Sequence, residues 1–150
     1  MESEKELKNK NVDFELIPLN QVVHSVNDVQ AACKCEVSEI IKTLVFVVDN
    51  NPIIIILPGD KRANILKIEN IIGEHGLRMA KPEEVKKFTG YIVGSVSPFG
   101  INPKIKQIAD NSILNLSSLL FGSGKSDIII KISQIEFCKA FEGVFASISD

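Results

Sequence analysis

Ile41-Lys-Thr-Leu-Val-Phe-Val-Val-Asp-Asn-Asn-Pro-Ile-Ile-Ile-Ile-Leu-Pro58 is the stretch on which the fold turns. It contains two short apolar runs, Thr43–Val48 and Pro52–Leu57, each of strand length and bounded by turn residues. Asp49-Asn50-Asn51 joins them, and Asx residues at such a junction favour a tight hairpin. The reading is two buried strands paired antiparallel. Downstream, Asn64–Ile72 carries Ile65, Leu66, Ile68 and Ile72 at helical spacing and stops at Gly73. Leu77–Ala80 reads as a short strand. Pro82 opens a helix with Glu83 and Glu84 in its first turn, and that helix ends before Gly90.

Upstream, residues 3–10 suggest a polar helix and Phe14–Leu19 a strand stopped by Pro18. Asn27 or Asp28 can cap a helix through Ala31-Ala32 that runs down to Glu36-Val37, with a single turn from Ser38 to Ile41. Beyond the hairpin and its helices, Tyr91–Val93 reads as strand-like, and Ile105–Ala109 and Ser112–Leu114 as strands flanking Asp110-Asn111. A turn at Gly122-Ser-Gly124 leads to the last expected strand, Asp127–Ile132, and Ser133 caps a final helix. Helices alternating with hairpin-like strands define an α/β or α+β domain around a mixed sheet. No repeat or low-complexity linker divides the chain, so residues 1–150 are read as one domain.

Hydrophobic residues make up 45% of the 150-residue chain and charged residues 24%, as in ordinary globular proteins. Trp is absent and aromatics are 6%, so the core must be built from Ile, Val and Leu. The longest apolar run, Ile53–Leu57, is too short to span a bilayer, and the charged start Glu2-Ser-Glu-Lys-Glu-Leu is no signal peptide. A cytoplasmic location is the expectation. Cys33, Cys35 and Cys138 read as reduced structural thiols, and no spacing of Cys and His suggests a metal. A net charge of −2 is not the footprint of a protein that grips long nucleic acid. No DNA, membrane or cofactor partner is expected.

Thr89-Gly-Tyr-Ile-Val-Gly-Ser-Val-Ser-Pro-Phe-Gly100 has a spacing of glycine and proline that can bare backbone amides to a carbonyl or oxyanion. Gly94 has no Cβ to keep a ligand away, Pro98 stiffens the turn and extends Ser97, and Gly100 can take a positive φ. Lys42, at the mouth of an apolar strand, either snorkels to water or is held against an anion.

With Ile41-Lys-Thr-Leu44, Pro58-Gly-Asp-Lys-Arg62 and the Thr89–Gly100 run in this order, the chain resembles the YbaK family, roughly from Asn11 to Ile148. That family includes the editing domain inserted in prolyl-tRNA synthetases. The resemblance implies helices around a curved, mostly antiparallel sheet. It also implies hydrolysis of the ester that links a wrong amino acid to tRNA, without metal or organic cofactor. The catalytic set it implies is Lys42, Gly94, Ser95, Ser97 and Pro98. Lys42 would hold the terminal ribose and phosphate, while the Gly94–Pro98 loop faces the aminoacyl group. Val26, Thr43, Val96, Phe99 and Asp127 complete the implied substrate-binding set. An aminoacyl ester is already activated, so orientation and oxyanion donors can suffice where no Ser-His-Asp pattern exists.

The expected activity is trans-editing of Ala- or Cys-tRNA for proline, with the tRNA 3′ end as partner and prolyl-tRNA synthetase as a second candidate partner. The rival class is a non-catalytic module that binds tRNA ends or a synthetase. Asp60 reads as a polar turn, and His24 and His75 as surface histidines.

Overall fold

The computed structural model describes residues 1–150. The central hairpin pairs β2 (Ile41–Val48) with β3 (Asn51–Pro58) antiparallel, from Val48↔Asn51 to Ile41↔Pro58. Asp49 and Asn50 both take positive φ, 50° and 62°, which is the two-residue turn whose twist matches the strands. In such a hairpin hydrogen-bonded and non-bonded pairs alternate from the closing pair outward. Pro52 and Pro58 therefore fall at positions that donate nothing to β2. Ile54, Ile55, Ile56 and Leu57 are wholly buried, because this hairpin is covered on both faces.

Two hydrogen-bonded sheets make up the mixed, largely antiparallel β structure. The five-stranded one has the order β4 (Arg78–Met79), β2, β3, β5 (Lys106–Asp110), β8 (Val144–Ala146), with β5 parallel to both β3 and β8. The three-stranded one is antiparallel: β1 (Glu15–Pro18), β7 (Ile128–Ser133), β6 (Ser118–Gly122). A single parallel bridge, Ile40↔Leu120, joins them beside the start of β2. Five helices flank the sheets: α1 (Glu2–Asn9), α2 (Val26–Cys33), α3 (Ile65–Ile72), α4 (Pro82–Thr89) and α5 (Gln134–Ala140). The main core, between the sheets, holds Phe99, Phe121 and Phe137 in mutual tilted and edge contacts, beside Leu7, Ile54 and Ile130.

Several expectations are corrected. Ser25, not Asn27 or Asp28, caps α2: its side chain accepts the Asp28 N–H. The helix ends at Cys33 rather than near Val37, because Lys34 turns left-handed at φ 53° and terminates it. Ser112–Leu114 is no strand but part of a 3-10 turn, Asn111–Asn115, since the Asp110 carboxylate accepts the Ser112 N–H and pulls the chain round. Tyr91–Val93 is irregular: Thr89 Oγ1 accepts the Tyr91 N–H and the Ser95 N–H donates to Ile92 C=O, which closes a turn. β6 and the edge strand β8 were not anticipated, and β7 is therefore not the last strand.

Candidate functional site

A cavity of about 350 Å³ opens where the two sheets diverge past the Ile40↔Leu120 bridge. Its walls come from the start of α2 (His24, Ser25, Val26, Val29), from Ile40 and β2 (Ile41 to Val45), from Met79 of β4, Ala80 after it and α4 (Pro82, Val85), and from the Gly94 loop. Phe121, Gly122 and Ile129 close it. The lining is mostly apolar, and Lys42 is the one lysine or arginine in it.

Close backbone approaches build this corner. Gly94 sits at φ +91°, and a Cβ there would lie 2.7 Å from the His24 carbonyl oxygen. The space a side chain would need is occupied by the His24 main chain, which locks the loop to the segment ahead of α2. Gly122 lies under the same loop, where a Cβ would fall 2.9 Å from Val96 O. Gly59 makes the third approach, with its N–H donating to Ile40 C=O at 2.6 Å and no room for a Cβ against Val26.

The loop's own bonds settle which groups remain available. The Ser95 N–H is used in the turn, the Phe99 N–H donates to Ser97 Oγ, and the Gly100 N–H donates to Glu6 Oε1 at 2.8 Å. The N–H groups of Gly94, Val96 and Ser97 make no intramolecular bond. Gly94 and Val96 line the cavity. Tyr91 anchors the loop from behind: its hydroxyl donates to Phe99 C=O at 2.6 Å, and its ring is wedged against Gly100 and Gly124. Burial pushes the Tyr91 phenol up to about 12, so it stays a donor throughout the working range.

Lys42 is half-buried in β2. Desolvation lowers its pKa below the usual lysine value; the nearby Asp60 carboxylate opposes that shift and Arg62 adds to it. An ammonium that has lost water and has no ion-pair partner is available to an incoming anion. Thr43 follows it, and its buried Oγ1 has no hydrogen-bond partner.

Of the residues singled out from the sequence, Lys42, Thr43, Val26, Gly94 and Val96 meet at this cavity. Ser95, Ser97, Pro98, Phe99 and Asp127 do not line it. Ser95 and Ser97 are buried, Ser97 with its hydroxyl committed to the Phe99 amide. Pro98 and Phe99 turn away, and Phe99 is a core residue. Asp127 is exposed in the turn before β7, where its carbonyl accepts the Leu19 N–H. His24, read as a surface histidine, is exposed and also lines the cavity; Ser25, unmarked in the sequence reading, lines it too, and Asp60, read as a polar turn, acts on Lys42. The signal for the first pair lay in Ser25 as a helix cap directly ahead of Val26.

The chain is thus an α/β protein with a partly open apolar pocket, one partly desolvated lysine and loop amides that have no intramolecular partner. Residues 20–139 match the aminoacyl-tRNA editing domain model, and the chain belongs to that family. Proline–tRNA ligase of Maridesulfovibrio salexigens is 36% identical over 109 residues, which is 72% of this chain and 18% of the ligase. The ligase of Geotalea daltonii is 36% identical over 107 residues, 71% of this chain and 18% of its own length. The chain thus spans about a fifth of these curated relatives. Among solved structures, a hypothetical protein aligns over 100% of both chains with a TM-score of 0.93 and 28% identity. A candidate trans-editing enzyme for prolyl tRNA synthetase shares the fold at a TM-score of 0.89 and 23% identity, over 99% of this chain and 95% of that one. No helix is long and apolar enough to cross a membrane.

Proposed function

We propose that this chain is a deacylase that clears mischarged tRNA in trans, with alanine or cysteine on tRNA for proline as its cargo. The observation that carries the reading is the meeting of Lys42 with the unbonded Gly94 and Val96 amides around one small apolar cavity. Lys42 holds the terminal ribose and phosphate of the tRNA 3′ end, for which a compact ammonium with rotatable donors is suited. The amino acid enters the cavity with its ester carbonyl toward the loop. Water attacks the carbonyl carbon, and the Gly94 and Val96 N–H groups donate to the oxygen as it becomes negative. The C–O bond to the ribose then breaks as a proton of the attacking water passes to the ribose oxygen, releasing the free amino acid and the intact tRNA. Val26 and its apolar neighbours limit the side chain to a small one. A synthetase for proline is the partner that would present the tRNA, since net charge −2 leaves little long-range attraction for RNA.

The test is ester loss from Ala-, Cys- and Pro-tRNA for proline, each against a buffer control. Loss of Ala or Cys with Pro spared is the expected result. Decay equal to buffer in all three would remove the deacylase reading for these substrates. Retained binding of the same tRNA that is lost in Lys42→Ala would then favour a docking module instead.

A further inference from the structure

Every aminoacyl ester carries an α-amino group, and nothing in the proposed reaction so far receives it. In an apolar cavity an ammonium left without acceptors is costly, so the site needs at least one oxygen placed for it. Two features of Thr43 supply such oxygens. The first is its hydroxyl. Thr43 Oγ1 and Gln107 Oε1 are the buried side-chain polar atoms without a hydrogen-bond partner, and only Thr43 lines the cavity. Its side chain shares a sheet face with Ile41 and Val45, which also line the cavity. Because Oγ1 has no bond to give up, turning it about χ1 toward a ligand costs no partner.

The second feature is the backbone. The closing pair Val48↔Asn51 makes Thr43↔Ile56 a non-bonded pair, so the Thr43 carbonyl faces away from β3, toward the outer edge of β2. On that edge β4 pairs only with Phe46 and Val47, Ala80 donates to Val45 C=O, and the bridge to β6 stands at Ile40. Thr43 lies in the gap between them, where no strand is laddered to β2. Ala80, Pro82 and Gly122 line the same opening.

We infer that Thr43, through its hydroxyl and its edge carbonyl, is the acceptor pair for the α-ammonium of the aminoacyl group and thereby a specificity-determining residue. The inference rests on the deacylase reading above. It also supplies a reason for sparing proline that pocket size alone does not. A primary ammonium offers three N–H donors that can be aimed at two fixed acceptors. The prolyl nitrogen has two, and a ring methylene stands in the third direction. A primary ammonium rotates to bring donors onto both acceptors, whereas the ring fixes the two prolyl N–H directions and adds a methylene, so the discrimination is one of orientation.

The experiment compares hydrolysis of alanyl and propionyl esters of the same tRNA, the second lacking only the amino group, by wild type, Thr43→Val and Thr43→Ser. Each rate is divided by that ester's own buffer rate, since the α-ammonium activates the alanyl ester by itself. Wild type is then expected to favour the alanyl ester by about ten- to a hundredfold, the range for a hydrogen bond to a charged group. Thr43→Val should collapse that ratio toward the value left by the carbonyl alone, by slowing the alanyl ester far more than the propionyl ester. Thr43→Ser should restore it. An unchanged ratio in Thr43→Val overturns the inference, since a merely structural role would slow both esters alike. A wild type that shows no preference overturns it too, even if Thr43→Val fails to fold. Should wild type hydrolyse neither ester, the deacylase reading fails on its own. Binding of the non-hydrolysable alanyl and propionyl 3′-amides of adenosine then decides: a wild-type preference for alanyl that is lost in Thr43→Val sustains the Thr43 assignment, and equal binding ends it.

Discussion

Lys42 stands beside Asp60 and Arg62 with its pKa lowered by desolvation, and two consequences follow for the residue itself. If its ammonium holds the anionic end of tRNA, buffer-corrected deacylation falls as pH rises through the lowered value, earlier than a solvent-exposed lysine would dictate. Lys42→Arg should carry that limb to higher pH, and Lys42→Ala should cut turnover by roughly a hundredfold, as the loss of one strong electrostatic contact does. Stability runs the other way. A base with a depressed folded pKa costs stability while protonated, and the cost is relieved as pH rises through that value toward the ordinary 10.5. Lys42→Met should therefore raise the melting temperature at pH 7, with the gain fading in alkaline buffer. Ser97 illustrates a different residue-scale outcome. Its hydroxyl satisfies the buried Phe99 N–H, so Ser97→Ala should cost about 1–3 kcal/mol in denaturant titration, the usual penalty for an orphaned buried donor. Gly94→Ala should be worse for activity than for folding. Its φ of +91° and the His24 backbone 2.7 Å away leave a Cβ no place that does not move the cavity mouth.

Helix α4 shows how one element is held. Pro82 starts it, and the Glu84 carboxylate folds back on the Lys81 N–H while pairing both oxygens with the Arg78 guanidinium at 2.7 and 2.9 Å. Those contacts, the Arg78 hydrogen bonds foremost, hold the Glu84 carboxyl down at about 2. Its contribution is therefore complete above the usual 4.5 and is lost as pH falls toward 2. Glu84→Gln should lower the melting temperature at pH 7 and converge with wild type near pH 2. The turn after β5 is tied in a similar way. Burial alone would raise the Asp110 carboxyl, yet bonds from the Ser112 hydroxyl and amide and from the Ile148 amide bring it below its ordinary value. Asp110→Ala strips three donors of one acceptor and should destabilise by about 3 kcal/mol, measured by urea titration. These local devices explain why α4 was legible in sequence and the Asn111–Asn115 turn was not. Pro82-Glu83-Glu84 is a start signal with a local cause. Ser112–Leu114 has strand-like residues, and the Asp110 carboxylate that bends it through the Ser112 amide is held in place by the Ile148 amide 38 positions away.

At the scale of the molecule, α1 braces the site from outside the matched segment of residues 20–139. Leu7 is fully buried in the main core, Glu6 accepts the Gly100 N–H, Ser3 Oγ donates to Ser123 C=O, and Lys10 donates to Ala140 C=O. Leu7→Ala should cost about 2–5 kcal/mol. Removing residues 1–10 should lower the melting temperature further and weaken turnover with it, because the far end of the Tyr91–Gly100 loop loses its tie. The overall charge makes its own prediction. With net charge −2 and Lys42 the one lysine or arginine in the cavity, tRNA binding should weaken only gently with salt, by about 0.7 in log K per log salt for each single-strand phosphate held. A slope of five or more would point to an RNA surface beyond the cavity.

By itself the sequence determined the elements whose causes lie within a few residues. Asx residues set the β2–β3 turn, Asn64 and Gly73 bracket α3, Pro82 starts α4, and Ser133 caps α5. The Lys42 and Gly94 motifs were likewise visible as patterns. Only the tertiary structure decided that the β structure divides into two sheets beyond the Ile40↔Leu120 bridge and leaves a cavity at the fork. It alone separated the loop residues that face the cavity, Gly94 and Val96, from Ser97, Pro98 and Phe99, which serve the loop and the core. The reason is physical. Turn and cap preferences arise from a residue's own backbone and near neighbours. Which side of a loop faces a ligand depends on distant contacts, here the Tyr91 hydroxyl, the Glu6 carboxylate and the His24 main chain.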